Sequence, residues 1–397
     1  MTDVLAVNIG SSSLKFALHT VVDAEHVDRA HVSGVIEGLE PGGTPVLMLN
    51  ADGNRSSEAI AVSPTEKNID AALARLRSGV KRVLGDRDLL AIAHRVVHGG
   101  MFYNESVRVD DAVMANLEKL NALAPLHQPH NLAGIRACIL AFPDLPQIAS
   151  FDTAFHRTIS PFESHFGLPV AFHAQGVRRY GFHGLSYHFV AGRLGRLTEA
   201  GRGRLLMAHL GNGASLCAAV DGKSVATSMG FSALDGLMMG TRSGAIDPGV
   251  LLYLMDQGWS SEQITKLLYK ESGLLGVSGI SADMRTLHQN DSPQAKFAVD
   301  LFVYRIRREA GALIAVMGGI DALAFTGGIG EHDAAVRAGV CADLGYMGVK
   351  LDAGANQSAD GSARVPIHTP DSRVEVWVLP TDEGRVAAES ALAVLRR

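Results

Sequence analysis

Residues 4–18 read VLAVNIGSSSLKFAL. An apolar run meets Asn8 and Gly10, passes through Ser11, Ser12, Ser13 and Lys15, and then turns apolar again. A two-residue hairpin needs only a pair such as Asn-Gly to reverse the chain. This turn carries more hydrogen-bond donors than a reversal requires. Backbone N–H groups in glycine and serine turns form concavities that hold anions, and the hydroxyls and Lys15 add donors. It is not a P-loop, because G-x-x-x-x-G-K-[ST] is absent and a strand follows where a helix is needed. Read alone, the stretch leaves a plain serine-rich hairpin and an anion-binding turn both open.

The pattern recurs at 205–220, LLMAHLGNGASLCAAV. An apolar run meets His209 and Gly211, passes small polar residues, and resumes at Leu216, with a loop that counts one residue longer. Two copies of one hairpin predict two related domains facing each other across a cleft, with two donor-rich turns that suit a polyphosphate. A third glycine turn, FTGGIGEHDAAVRAGV (325–340), follows an apolar run and leads into a helical pattern. A strand end meeting a helix start suits the rest of a nucleotide, although the motif does not satisfy GxGxxG.

Strand-like runs cover 4–9, 13–20, 31–36, 45–49, 89–97, 147–151, 204–210, 215–220, 322–326 and 374–379. Several are apolar throughout, as strands buried on both faces are. Between them lie helical patterns. SPTEKNIDAALARLRSGV predicts an N-cap at Ser63, Pro64 in the first turn and Glu66 at the capping-box position. Residues 294–320 predict a long helix buried on most sides, and 383–397 an Ala-rich helix ending in arginines. The class is mixed α/β.

The 397 residues suit two or three domains. Hydrophobic residues at 47% and charged residues at 19% describe a compact chain. A net charge of −5 argues against nucleic acid as the main partner. The three cysteines, 138, 217 and 341, have no zinc or CxxC spacing and read as reduced thiols. MTDVLAVNIG lacks the features of a signal peptide, and no apolar run is long enough to span a bilayer. A cytoplasmic protein without membrane partners is expected.

Several other stretches carry chemistry. Arg95 interrupts an apolar strand in HRVVHGG (94–100), and a buried arginine needs a carboxylate or a phosphate partner. Arg242 lies among small residues in GTRSGAIDPG (240–249), which allow a ligand to approach. Asp152 in FDTAFH and Asp382 and Glu383 in PTDEGR stand just past strands, where acidic residues hold Mg²⁺ beside phosphates. Asp382 also reads as an N-cap. His183 in GFHG is a candidate donor to a transferring phosphoryl group. His94, His98, His156 and His188 read as structural, and His127 stays open. Anion-binding turns, two arginines, a histidine and carboxylates fit phosphoryl transfer, which is mostly positioning and charge neutralisation. A carboxylate acceptor needs no general base. A sugar hydroxyl needs one, and Asp152 can serve, so a sugar kinase stays open on the residues alone.

NIGSSSLKF, HRVVHGG, APLHQPHN, FDTAFH, YGFHGLSY, HLGNGAS, SMGFSALDGLMMGTRSGAIDPG, SGISADMR, FTGGIGE and LPTDEG together resemble the acetate kinase family, in order and over essentially the whole chain. The resemblance implies two duplicated actin-like, ribonuclease H-like α/β domains, with mixed sheets flanked by helices and a nucleotide cleft between them. It implies domain I at 1–152 plus 385–397, with the C-terminal helix returning to it, a nucleotide-binding domain II at 153–384, and a homodimer. The implied reaction is Mg²⁺-dependent, in-line, reversible transfer of the ATP γ-phosphoryl group to acetate, giving acetyl phosphate and ADP, with Mn²⁺ as an alternative ion.

Residue by residue, Asn8, Ser11, Ser13 and Lys15 match the family's first phosphate-side turn. Arg95 and Arg242 match its carboxylate and phosphoryl clamps, His183 its transition-state stabiliser, and Asp152 its essential acid near Mg²⁺. Glu383, with Asn8 and Asp152, makes the implied metal set. His209, Leu210, Gly211, Asn212 and Gly213, then Asp283, Met284 and Arg285, then Gly328, Ile329, Gly330, Glu331 and His332 match its nucleotide segments. Val97, Leu126, Phe182 and position 233 match the pocket for the substrate methyl. This chain has Ala233 where the family commonly has Pro, which keeps propionate as a second substrate reading. Ala245 replaces a usual Asp, His332 a usual Asn, and Asp382 and Gly384 stand where Asn and Glu are common. A nucleotide-driven switch for a partner protein is the competing class, and it has no need of two arginines on the acceptor side.

Overall fold

The computed structural model describes residues 2–51, 53–63, 67–125 and 127–397. Among them the chain divides into two compact units, residues 1–154 with 382–397, and residues 155–381. Glu383, set in the second domain from sequence, therefore belongs to the first unit.

In the first unit, strands β1 (Thr2–Ile9), β2 (Ser13–Thr20), β3 (Val32–Glu37), β4 (Val46–Ala51), β5 (Asn54–Ala59), β6 (Asp88–Val96), β7 (Val107–Arg108) and β8 (Gln147–Phe151) form one sheet. Its order is β5-β4-β3-β2-β1-β6-β8-β7. The second unit has β9 (Arg204–Leu210), β10 (Ala214–Val220), β11 (Lys223–Thr227), β12 (Ala322–Thr326), β13 (Val365–Pro366) and β14 (Glu375–Val378), in the order β11-β10-β9-β12-β14-β13.

The duplication extends beyond the hairpin. β1 is antiparallel to β2 and parallel to β6, which is parallel to β8. β9 is antiparallel to β10 and parallel to β12, which is parallel to β14. Each sheet is therefore mixed, and helices supply the crossovers that parallel pairing needs. The turns differ in the opposite sense from the sequence count. Ile9 pairs with Leu14, whereas Leu210 pairs with Ala214, so the second turn is the shorter. Two residues counted into the second loop, Ala214 and Ser215, continue the pairing of β10.

In the first unit, Leu5, Val7, Leu14, Phe16 and Leu18 pack with Leu73, Leu76 and Val80 of helix Asn68–Leu84. That helix begins at Asn68 with Lys67 in the N-cap position, later than the Ser63 start expected; Pro64 and Glu66 lie outside the described residues. Helix Glu383–Leu395 returns to pack on β1 and β6. In the second unit, Leu205, Met207 and Ala324 pack with Tyr187, Val190 and Leu194 of helix Gly184–Gly195. Helix Pro293–Met317 packs against β9–β11. It is buried along one stripe, Ala295 to Ile314, while Phe297, Tyr304 and Val316 are exposed, so it is not enclosed on most sides. No helix among the described residues is long and apolar enough to cross a membrane.

Candidate active site

In the first unit, β6 and β8 run parallel and place Arg95 beside the end of β8, where Asp152 follows. Arg95 Nε donates to Asp152 Oδ1 at 3.0 Å, and Nη2 to Oδ2 at 2.8 Å. Its Nη1 lies 2.6 Å from Glu383 Oε2. Burial alone favours the neutral guanidinium, but the two carboxylates outweigh it and hold the Arg95 pKa above its ordinary value. Asp382 caps helix Glu383–Leu395 by accepting from the Arg385 N–H, which presents Glu383 in the first turn. Asn8 and Lys15 are direct partners across the hairpin, so both side chains stand on one face of the sheet. Ser11 and Lys15 are exposed and Ser13 is half-buried. Val97 is half-buried, its N–H donating to Asn131 Oδ1. Leu126 lies outside the described residues.

The second unit builds a different cationic centre. His183 caps helix Gly184–Gly195 with φ 57° and ψ 24°, a left-handed conformation unusual for a residue with a Cβ. Gly181 before it also has positive φ, and a Cβ there would lie 2.6 Å from the His156 ring. That close approach lets His156 Nε2 reach the Phe182 carbonyl at 2.9 Å and fix the segment. His183 Nδ1 bonds Ser215 Oγ at 2.8 Å, and its ring stacks on His209 at 4.2 Å between centroids. His209 and Ser215 are a cross-strand pair of β9 and β10, the counterpart of Asn8 and Lys15. The second hairpin is thus the platform that aims His183.

Arg242 approaches the same point. From the Cβ position of Gly213, His183 Nε2 lies 3.4 Å away and Arg242 Nη2 3.6 Å. Arg242 Nη1 donates to the Ala233 carbonyl at 2.7 Å. Burial lowers its pKa, and among the described residues no carboxylate forms an ion pair with it. Arginine keeps its proton under such conditions. The centre therefore holds a half-buried positive charge with no ion-paired carboxylate among the described residues, which an anion would complete.

Beside it lies a cleft of about 870 Å³ within the second unit. It is lined by Gly211 and Asn212 of the hairpin turn, by Asp283, Met284 and Arg285, and by Gly328, Ile329 and His332 of helix Gly327–His332. The three segments named from sequence meet there. Leu210 is wholly in the core, and Gly330 is buried. Glu331 Oε1 accepts from the N–H groups of Gly327 and Thr381, at 2.8 and 3.2 Å, and so ties the segment down. Asp283 is held down to about 2 by the Arg285 guanidinium it pairs with. The cleft also takes residues that the sequence did not flag, among them His288 and Asp333, whose side chains bond each other at 2.8 Å.

A family model, the acetokinase family, matches residues 3–389. The chain belongs to the acetokinase family. It is 48% identical to an acetate kinase of Rhodopseudomonas palustris over 98% of this chain and 97% of that one. Among solved structures it is similar to a propionate kinase of Francisella tularensis, with TM-score 0.89, 34% identity and coverage of 98% and 99%. It is similar also to the acetate kinase of Porphyromonas gingivalis, with TM-score 0.86, 35% identity and full coverage of both chains. The expected mixed α/β class, with two mixed sheets flanked by helices, holds for this acetokinase.

The histidines read as structural include two with clear structural partners. His94 bonds Gln147, His156 bonds Ser224 and Phe182, and burial lowers both to about 4. The three thiols are buried and pushed up to about 12, which leaves them unreactive in this acetokinase. Among the described residues no three His, Cys, Asp or Glu side chains cluster as a metal site.

Proposed function

We propose that this acetokinase transfers the γ-phosphoryl group of ATP to acetate, reversibly, giving acetyl phosphate and ADP. The observation that carries the reading is Arg242, half-buried beside His183 and, among the described residues, without a carboxylate in an ion pair with it. A transferring phosphoryl group supplies the missing negative charge, and the two side chains stabilise that charge as it spreads over the equatorial oxygens. The acetate carboxylate is ionised at neutral pH and attacks phosphorus directly. One carboxylate O–P bond forms and the bond to the ADP oxygen breaks, with the electron pair leaving on ADP. No proton moves, so no general base is needed.

Arg95 orients the acceptor carboxylate in this reading, with Asp152 and Glu383 fixing its plane. Gly211 and Asn212, with Gly328 and Ile329, hold the nucleotide in the 870 Å³ cleft, which is within the range of small-molecule sites. Val97, Phe182 and Ala233 are assigned to the substrate methyl on the resemblance to the family.

Mg²⁺ suits the donor set: it is commonly bound by one or two carboxylates plus substrate phosphates, and Asp152 and Glu383, with Asn8, supply hard oxygens at a strand end. When bound it neutralises phosphate charge. A homodimer belongs to the same reading, supported by helix Pro248–Asp256, which has no buried residue and exposes Leu252, Tyr253 and Met255. A cytoplasmic location completes the reading.

The test is ATP-dependent acyl phosphate formation, trapped with hydroxylamine, with acetate, propionate and butyrate in parallel and Mg²⁺ present or chelated. Mg²⁺-dependent product with acetate is expected. Faster turnover of propionate would move the assignment to that acid, the reading that Ala233 keeps open. No product with any acid would sink the proposal.

A further inference from the structure

Arg337 is wholly buried, yet among the described residues no carboxylate forms an ion pair with it. It stands in helix Ala334–Ala342, one turn past the glycine segment that lines the cleft. Every N–H of its guanidinium is matched. Nε donates to Asn356 Oδ1 at 2.8 Å. Nη1 donates to the carbonyls of Gly330 and Glu331 at 3.0 and 2.9 Å, and Nη2 to those of Asn356 and Ala359 at 2.7 and 3.0 Å. Five donors thus meet five neutral oxygens.

Two of those oxygens belong to the end of helix Gly327–His332. A helix leaves its last carbonyls without intrahelical partners, and a buried end needs them supplied. Arg337 supplies them from the next helix. The other end of the same short helix is held by Glu331 Oε1, which accepts from Gly327 N–H. The segment is therefore clamped at both ends, and what it leaves open is Gly328, where a Cβ would meet nothing within 4 Å. Across from it, a Cβ on Gly211 would lie 3.8 Å from Gly328 N. The two glycine turns face each other at a separation fixed by the clamp. Burying a guanidinium against carbonyls alone is costly, and a fold that only needed packing there would be served by an apolar side chain.

We infer that Arg337 is a positioning residue for nucleotide binding: it holds the Gly328 turn at its distance from the Gly211–Asn212 turn. The inference rests on the reading of this cleft as the nucleotide site.

The experiment compares wild type with Arg337→Lys and Asn356→Ala by ADP titration calorimetry, by KM for ATP and for acetate, and by thermal melting. Lysine keeps the charge but cannot span four carbonyls. For folded Arg337→Lys, ADP binding weakened at least tenfold is expected, with KM for acetate within twofold of wild type. A purely structural residue would lower the melting temperature without separating the two KM values. ADP affinity within twofold of wild type in the folded variant overturns the inference. If Arg337→Lys does not fold, Asn356→Ala decides, with about threefold weaker ADP expected and unchanged affinity overturning it. Failure of both to fold makes Arg337 a residue of the fold alone and also overturns it. A wild-type protein that binds no ADP would instead remove the nucleotide reading itself.

Discussion

Asp152 grips Arg95 with both carboxylate oxygens, meeting Nε at 3.0 Å and Nη2 at 2.8 Å. Stranding a fully buried charge costs about 3–5 kcal/mol, but Arg95 is partly exposed and keeps Glu383 when Asp152 is removed. Asp152→Ala is expected to destabilise the first unit by less than that and to lower kcat at least a hundredfold. Urea unfolding and steady-state kinetics check it. Glu383→Gln keeps Asp152 in place, so it should retain most stability while still losing turnover.

Arg242 gives the opposite balance. Its charge is half-buried, with no carboxylate in an ion pair among the described residues. Arg242→Met is expected to melt at the wild-type temperature or a few degrees above it, because a desolvated charge is removed. Turnover should fall by about 10²–10³, the scale seen when one transition-state donor is lost. A parallel loss of stability and activity would contradict this.

Stability should fall in acid. Burial lowers His94 and His156 to about 4, against 6.5 for a free imidazole. Between these values the unfolded chain binds a proton that the folded chain does not, so the contribution is present above pH 6.5 and lost as pH falls through 4. Each histidine accounts for about 3 kcal/mol at 1.36 kcal/mol per pH unit. Urea midpoints from pH 7 to 4 should drop steeply, and His156→Gln should flatten the slope of the second unit.

His183 stores backbone strain. At φ 57° an ordinary side chain costs about 1–2 kcal/mol, and asparagine tolerates this region better than most. His183→Asn is therefore expected to keep the melting temperature within a few degrees while reducing kcat about a hundredfold. His183→Ala should lose both, stability through loss of the Ser215 bond and the poorer tolerance of alanine for this left-handed backbone.

Much of the sheet architecture was legible because its inner strands are continuous apolar runs. β2, β8, β9 and β12 have the limits that their hydrophobic stretches predict. β5 was not legible, since NRSSEA is exposed throughout and forms a strand only by pairing with β4. β7 and β13 are two residues each and have no period to detect. Among site residues, Arg95 stood out as a charge inside an apolar strand. Arg337 did not, because an arginine in AAVRAGVCA reads as a solvent-facing helix position until the carbonyls around it are known. His209 and Ser215 were legible as part of a turn, but their joint support of His183 depends on cross-strand register.

The return of the last helix to the first unit has a consequence for synthesis. The second unit is one uninterrupted stretch, residues 155–381, so everything it needs has emerged from the ribosome before the first unit can be finished. The first unit is split around the second, and Glu383 is made only after all of the second unit. Until then Arg95 has only one of its two carboxylates, and β1 and β6 lack their covering helix. A chain interrupted after residue 381 would expose both defects together, in the unit whose synthesis starts before the other's.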